Sequence, residues 1–117
     1  VQPTAPDPLT VTGDVLYRER IVWPRGAVVT VTLEDVSRMD VPATVLATQR
    51  ITDATGVPVP FTLTADRASI DGRARLAVRA RIDVDGELHW TTDTAHPVPT
   101  AGPVPEQHLL LVGVRRA

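Results

Sequence analysis

The chain has 117 residues, a net charge of −2 and no cysteine, which fits one domain and excludes disulfides, thiolate catalysis and thiolate metal sites. All twelve basic residues are arginine against fourteen acids, a balance that argues against a nucleic-acid partner held by bulk electrostatics. Eighteen valines and fifteen threonines against four aromatic rings favour strands, because a branched Cβ fits a pleated surface. No stretch keeps a helical period, and no apolar run approaches the length of a membrane span. The predicted class is all-β.

Residues 1–8 carry three prolines, which stiffen the backbone toward polyproline II and read as a semi-rigid tether ahead of a domain spanning 9–117. Leu9, Val11, Gly13, Val15 and Tyr17 alternate with polar residues and predict the first strand. Ile21-Val22-Trp23-Pro24-Arg25-Gly26 is a corner, since Pro24 drives Trp23 out of the helical region and Gly26 frees the turn. Val29, Val31 and Leu33 form the second strand. Val45, Ala47 and Ile51 form the third, with Leu46 breaking the pattern. Val57, Val59, Phe61 and Leu63 form the fourth. Pro58 and Pro60 mark that strand as an edge, because neither can donate to a ladder.

The clearest alternation follows a crossover at 65–72. Ala74, Leu76, Val78, Ala80, Ile82 and Val84 lie on one face of a fifth strand. Arg73, Arg75, Arg79, Arg81, Asp83 and Asp85 lie on the other, interrupted by Ala77. Asp85-Gly86 is a two-residue hairpin signal, and Leu88 and Trp90 are predicted to continue the core face on the sixth strand. A proline-rich loop with Pro97, Pro99, Pro103 and Pro105 leads to Leu109–Val114, a seventh strand that is apolar on both faces. Seven short strands separated by turn signals predict a single-domain antiparallel β-sandwich.

Four arginines on one strand face, Arg73, Arg75, Arg79 and Arg81, are candidates for holding an anion or a partner. The competing reading is a solvated face paired across strands with acids such as Glu87. Trp23 is the one ring expected to be exposed, since Trp90 falls on the core face. His89 and His96 are seven apart, which suits no metal site on one strand face. Asp83-Val84-Asp85-Gly86 lacks the closing glutamate and flanking helices of a calcium loop. Ser37 and Ser69 stand in no nucleophile motif. Asp93 is expected to bond loop backbone donors, as aspartate does in turns. Nothing in the residues marks an enzyme, a cofactor or a metal.

Across residues 33–94 the chain carries L-E-D-V-S-R-x-D-x-P, then P-F-x-L, then A-R-I-x-x-x-G-x-L-x-W-x-T-D-T. With their flanks (31–51, 59–66 and 79–98) these segments resemble the small bacterial lipoproteins called YbaY, which share a domain with the YscW-type pilot proteins of type III secretion. The resemblance implies a non-enzymatic periplasmic β-sandwich, tethered by lipid on an N-terminal cysteine, usually to the outer membrane. In the pilot-protein branch, such a domain helps an outer-membrane secretin reach its membrane. The lipid-bearing cysteine is absent from these 117 residues, so any membrane attachment by that route lies outside them. Two readings follow. One is a module that binds or chaperones an envelope protein through a strand edge or apolar face. The other is a domain for an envelope glycan or lipid head group, using the arginine face of strand 73–85. The scarcity of rings favours the first. Partner identity and oligomeric state are open at this level.

Overall fold

The computed structural model describes residues 8–38, 41–94 and 96–114. The elements are β1 (Pro8–Tyr17), β2 (Ala27–Asp35), β3 (Thr44–Ile51), β4 (Val59–Asp66), a 3₁₀ turn (Arg67–Ser69), β5 (Leu76–Val84), β6 (Glu87–Thr91), β7 (Pro97–Val98) and β8 (Gln107–Gly113). Residues 1–7 of the expected tether lie outside the described residues.

All eight strands belong to one sheet, in the order β3-β2-β5-β6-β8-β1-β4, with β7 adding to β5. The two-layer sandwich expected from the strand count is therefore a single sheet rolled into a nearly closed barrel. Among the described residues, the ladder joining its two halves is short, with the pairs Trp90↔Gly113 and Thr91↔Val112. The arrangement is also not wholly antiparallel. β8 lies parallel to β1, from Gly13↔Gln107 to Tyr17↔Leu111. Local alternation cannot reveal such a pairing, because it joins the first and last strands of the chain. β4, which contains Pro60 and follows Pro58, stands at the end of the sheet as predicted.

The barrel interior is aliphatic. Leu9, Val11, Val15, Val29, Val31, Leu33, Leu63, Val78, Ile82, Leu109 and Leu111 are essentially inaccessible, each contributing roughly 1.5–3 kcal/mol of transfer free energy. They come from alternate positions on β1, β2, β4, β5 and β8, the geometry that period-two patterning produces. Of the apolar residues in β8, Leu109 and Leu111 are buried. Leu110 is half-buried and Val112 is 39% exposed on the outer face, so one side of this strand is core and the other is a partly open apolar strip.

Two bulges adjust the registers. In β3 the pairing passes from Leu33↔Ala47 to Glu34↔Val45, so Leu46 is the extra residue that broke the sequence pattern. Beyond it the phase inverts, and Val45, predicted to face the core, is 53% exposed. In β6 the pairing passes from Ile82↔Trp90 to Asp83↔Leu88. His89 is the extra residue there. Leu88, expected in the core, instead shares the outer side with Asp83 and is half-buried. The hairpin itself is as predicted, with φ 53° at Asp85 and 82° at Gly86, the two positive values a type I′ turn requires.

Candidate functional site

β5 carries the arginine face, and the structure divides it. Arg79 and Arg81 project from the strand, whereas Arg73 and Arg75 precede its first residue. Arg79 lies 3.7 Å from Glu34 Oε1, and Thr32 Oγ1 donates to Glu34 Oε2 at 2.9 Å. Arg81 forks onto Asp83, with Nη2 at 2.7 Å and Nε at 3.1 Å. The Asp83 carboxylate raises the Arg81 pKa above its ordinary value. Both guanidinium groups therefore have acids beside them on their own sheet, Glu34 and Asp83. The arginine ends of these pairs are exposed and the acid ends are not, and the pairing leaves less charge for an external anion.

Arg73 and Arg75 sit at the end of the barrel where β2 hands over to β5. Asp35 Oδ1 accepts from both the amide and the hydroxyl of Ser37. Ser37 Oγ in turn accepts from the Arg75 amide at 2.8 Å, and the Val36 amide donates to the Arg75 carbonyl at 2.8 Å. The Ser37 hydrogen bonds hold the Asp35 carboxyl below the usual carboxylate range. The L-E-D-V-S-R motif thus acts as a latch, continuing the β2–β5 ladder one step past its last paired residues. A mouth of about 520 Å³ beside it is lined by Asp35, Ser37, Arg38, Asp71 and Arg73, among others.

Next to the latch lies an apolar concavity. A groove of about 680 Å³ runs between the start of β5 and the loop through β7, lined by Leu76, Ala77, Pro97, Val98, Pro99 and Ala101, with Val36, Ala74, Arg75 and Thr100 completing it. Its walls are held by the chain's own bonds. β7 pairs with β5 at Leu76↔Val98 and Ala77↔Pro97. Thr100 Oγ1 donates to the Gly72 carbonyl at 3.1 Å, and Arg67 Nη2 to the Gly102 carbonyl at 2.9 Å. Prolines suit such a wall because they present carbon and no donor. Among the described residues of the lining, Arg75 alone is charged. Sequence reasoning took 97–105 only as a connection. The alternation of proline with Val98, Thr100 and Ala101 was the available signal, but its packing on β5 could not be read from spacing.

Trp23 is not the freely exposed ring that was expected. It is half-buried and stacks on Tyr17 with centroids 6.3 Å apart and planes at 10°. Tyr17 stacks in turn on Trp90 at 4.6 Å. The Trp90 indole N–H donates to Glu19 Oε2 at 3.3 Å, and burial pushes the Tyr17 hydroxyl pKa up. Asp93 is exposed, and it is its neighbour Thr92 that bonds backbone, on β5. The Thr92 amide donates to the Ala80 carbonyl at 3.1 Å, and its hydroxyl accepts from the Ala80 amide at 3.4 Å. Among the described residues, no three metal-binding side chains come together. The structure therefore brings Arg79 with Arg81 and Arg73 with the latch, places Arg75 on the groove, and sets Trp23 at the opposite end.

Comparison with known proteins agrees with this architecture. The family model for the type III secretion system lipoprotein chaperone YscW matches residues 6–111. The uncharacterized lipoprotein YbaY of Escherichia coli (strain K12) is 37% identical over 102 residues, covering 86% of this chain. The chain spans about half of that relative's length (53%). An alternative pilotin from the type II secretion system of Vibrio cholerae superposes with a TM-score of 0.79 at 43% identity, covering 94% of this chain and 100% of the pilotin chain. With the family model matching nearly all of the rolled sheet, the chain belongs to the YscW family of secretion lipoprotein chaperones.

Proposed function

We propose that this domain is a pilotin-like, non-enzymatic module of the bacterial envelope, residing in the periplasm on a lipid anchor, that binds a segment of an outer-membrane secretin or a similar assembly protein. The observation that carries this reading is the 43% identity to a type II secretion pilotin across 94% of the chain. The groove beside β5 supports it. Its preformed apolar walls and single cationic lip at Arg75 suit an apolar segment bearing an acidic residue, since a groove of this kind gains from burial and a flanking charge sets register. The ion pairing of Arg79 and Arg81 makes the alternative, an anion held on the arginine face, less favourable. Residues 1–8 serve in this reading as the tether ahead of the domain.

The test uses overlapping peptides tiling the outer-membrane secretins of the source organism, with fluorescence anisotropy as readout. One or more peptides should bind. Pro99→Glu and Ala101→Glu, both at exposed positions on the groove wall, should weaken binding at least ~tenfold, about 1.4 kcal/mol. Arg75→Glu should weaken acidic peptides most. No binding by any peptide would count against a secretin partner. Binding indifferent to all three substitutions would move the site elsewhere on the barrel.

A further inference from the structure

The end of the barrel remote from the groove presents a second feature. β1 leaves the sheet at Tyr17 and the chain rejoins it at Ala27. The base of the intervening loop is fixed at three points. Glu19 accepts from the Trp90 indole, Trp23 stacks on Tyr17, and Gly26, at φ 75°, lies against Asp85. A Cβ on Gly26 would fall 2.6 Å from Asp85 Oδ1, the end of an exposed side chain that can turn aside, so it is the positive φ that calls for glycine. Between these fixed points Ile21 and Val22 face solvent, 50% and 90% exposed. Val22 is the most exposed large hydrophobic side chain among the described residues. A chain with this much aliphatic core has no folding reason to hold two β-branched residues outward on a pinned base.

The tip is fringed by cations. Arg18, Arg20 and Arg25 are all exposed, and none takes part in an ion pair among the described residues. Glu19, the acid inside the loop, is exposed and accepts from the Trp90 indole through one oxygen, so it offsets part of this positive charge. We propose that this loop is a membrane-contacting tip, in which Ile21 and Val22 enter the interfacial zone of a bilayer while the three arginines meet anionic phosphates. A convex aliphatic tip needs no complementary pocket in a fluid phase. Long arginine stems let the charged heads stay at the phosphate level as the tip sinks, and a tryptophan at the base suits the interface. The neighbouring hairpin carries Asp85 and Glu87, which oppose an anionic surface. The contact is accordingly weak and acts beside another attachment, as single small anchors do. This inference does not rest on the groove or on a secretin partner.

The experiment mixes the 117-residue chain with sucrose-loaded vesicles of phosphatidylethanolamine and phosphatidylglycerol, or of phosphatidylcholine alone, at low and at physiological salt. Sedimentation with the anionic vesicles is expected, falling as salt rises. Ile21→Ser with Val22→Asp, and separately Arg20→Gln with Arg25→Gln, should each reduce it at least ~tenfold without moving the thermal midpoint, because these side chains are exposed. Arg79→Gln with Arg81→Gln should leave it unchanged. The proposal fails if neither vesicle retains the chain, or if retention survives both tip variants. It fails also if retention is lost only in the Arg79/Arg81 variant. Self-association abolished by the tip variants, without vesicle retention, would make the tip a protein contact and overturn the membrane reading.

Discussion

Gly13 lies on the inward face of β1 opposite Gln107, the first residue of β8, and a Cβ built there would stand 1.8 Å from the Gln107 carbonyl oxygen. Its requirement is space rather than conformation, since the parallel β1–β8 pairing begins at this contact. Gly13→Ala should therefore destabilise the domain by ~3 kcal/mol, the upper end of overpacking costs, by displacing the start of β8. Urea unfolding measures it, and a loss below ~0.5 kcal/mol, the size of an ordinary surface change, would show that β8 can step aside. In the sequence Gly13 is one beat in the alternation of the first strand, and that much was legible. Its close approach was not, because it depends on a strand ninety residues further along. Trp23 is a similar case. Its place at a corner could be read from Pro24, but its partner Tyr17 could not, because stacking depends on how the loop folds back over the end of β1.

At the level of the elements, the strand faces were legible wherever a strand keeps one register, as in β1, β2 and β5. They were misread just past a bulge. Leu46 announced its own bulge by breaking the β3 pattern. The β6 bulge at His89 left no such mark, because Leu88 and Trp90 keep a perfect alternation while the backbone slips between them. The two positions therefore separate energetically. Trp90, 7% exposed and stacked on Tyr17, should cost ~3–5 kcal/mol as Trp90→Ala. Leu88→Ala, on the outer side, should cost only ~1 kcal/mol, the worth of a few half-buried methylenes. Equal losses in thermal or denaturant unfolding would place both residues in the core and remove the bulge. The same logic explains the groove. Ala77 interrupts the arginine face of β5, and it is buried because β7 lies alongside it. The interruption was visible in the sequence, but the proline-rich segment that covers it was not.

For the whole molecule, the open question is why a sheet so nearly closed does not zip shut between its end strands, β3 and β4. The Thr62 amide donates to the side-chain Oε1 of Gln49 at 2.7 Å, so it points across the seam and away from β1. Residue 60 has the same orientation two positions earlier, and it is Pro60, which has no hydrogen to offer. The seam is thus denied one backbone donor by proline, and a second is taken up by a side chain in place of a carbonyl of β3. An edge treated this way resists pairing with another chain while keeping the two ends of the sheet in contact. Gln49→Ala should remove the bridge and leave the Thr62 amide to water. The cost should be modest, ~1 kcal/mol for one hydrogen bond at an exposed site, but the local signature should be distinct. Amide exchange at Thr62 should accelerate, while Val11 and Val31, buried within β1 and β2, keep their protection because they open only with the whole domain. If Thr62 exchanges equally slowly in the variant, its donor has found a backbone acceptor on β3. The barrel would then close by its ladder, and Gln49 would have no part in the seam.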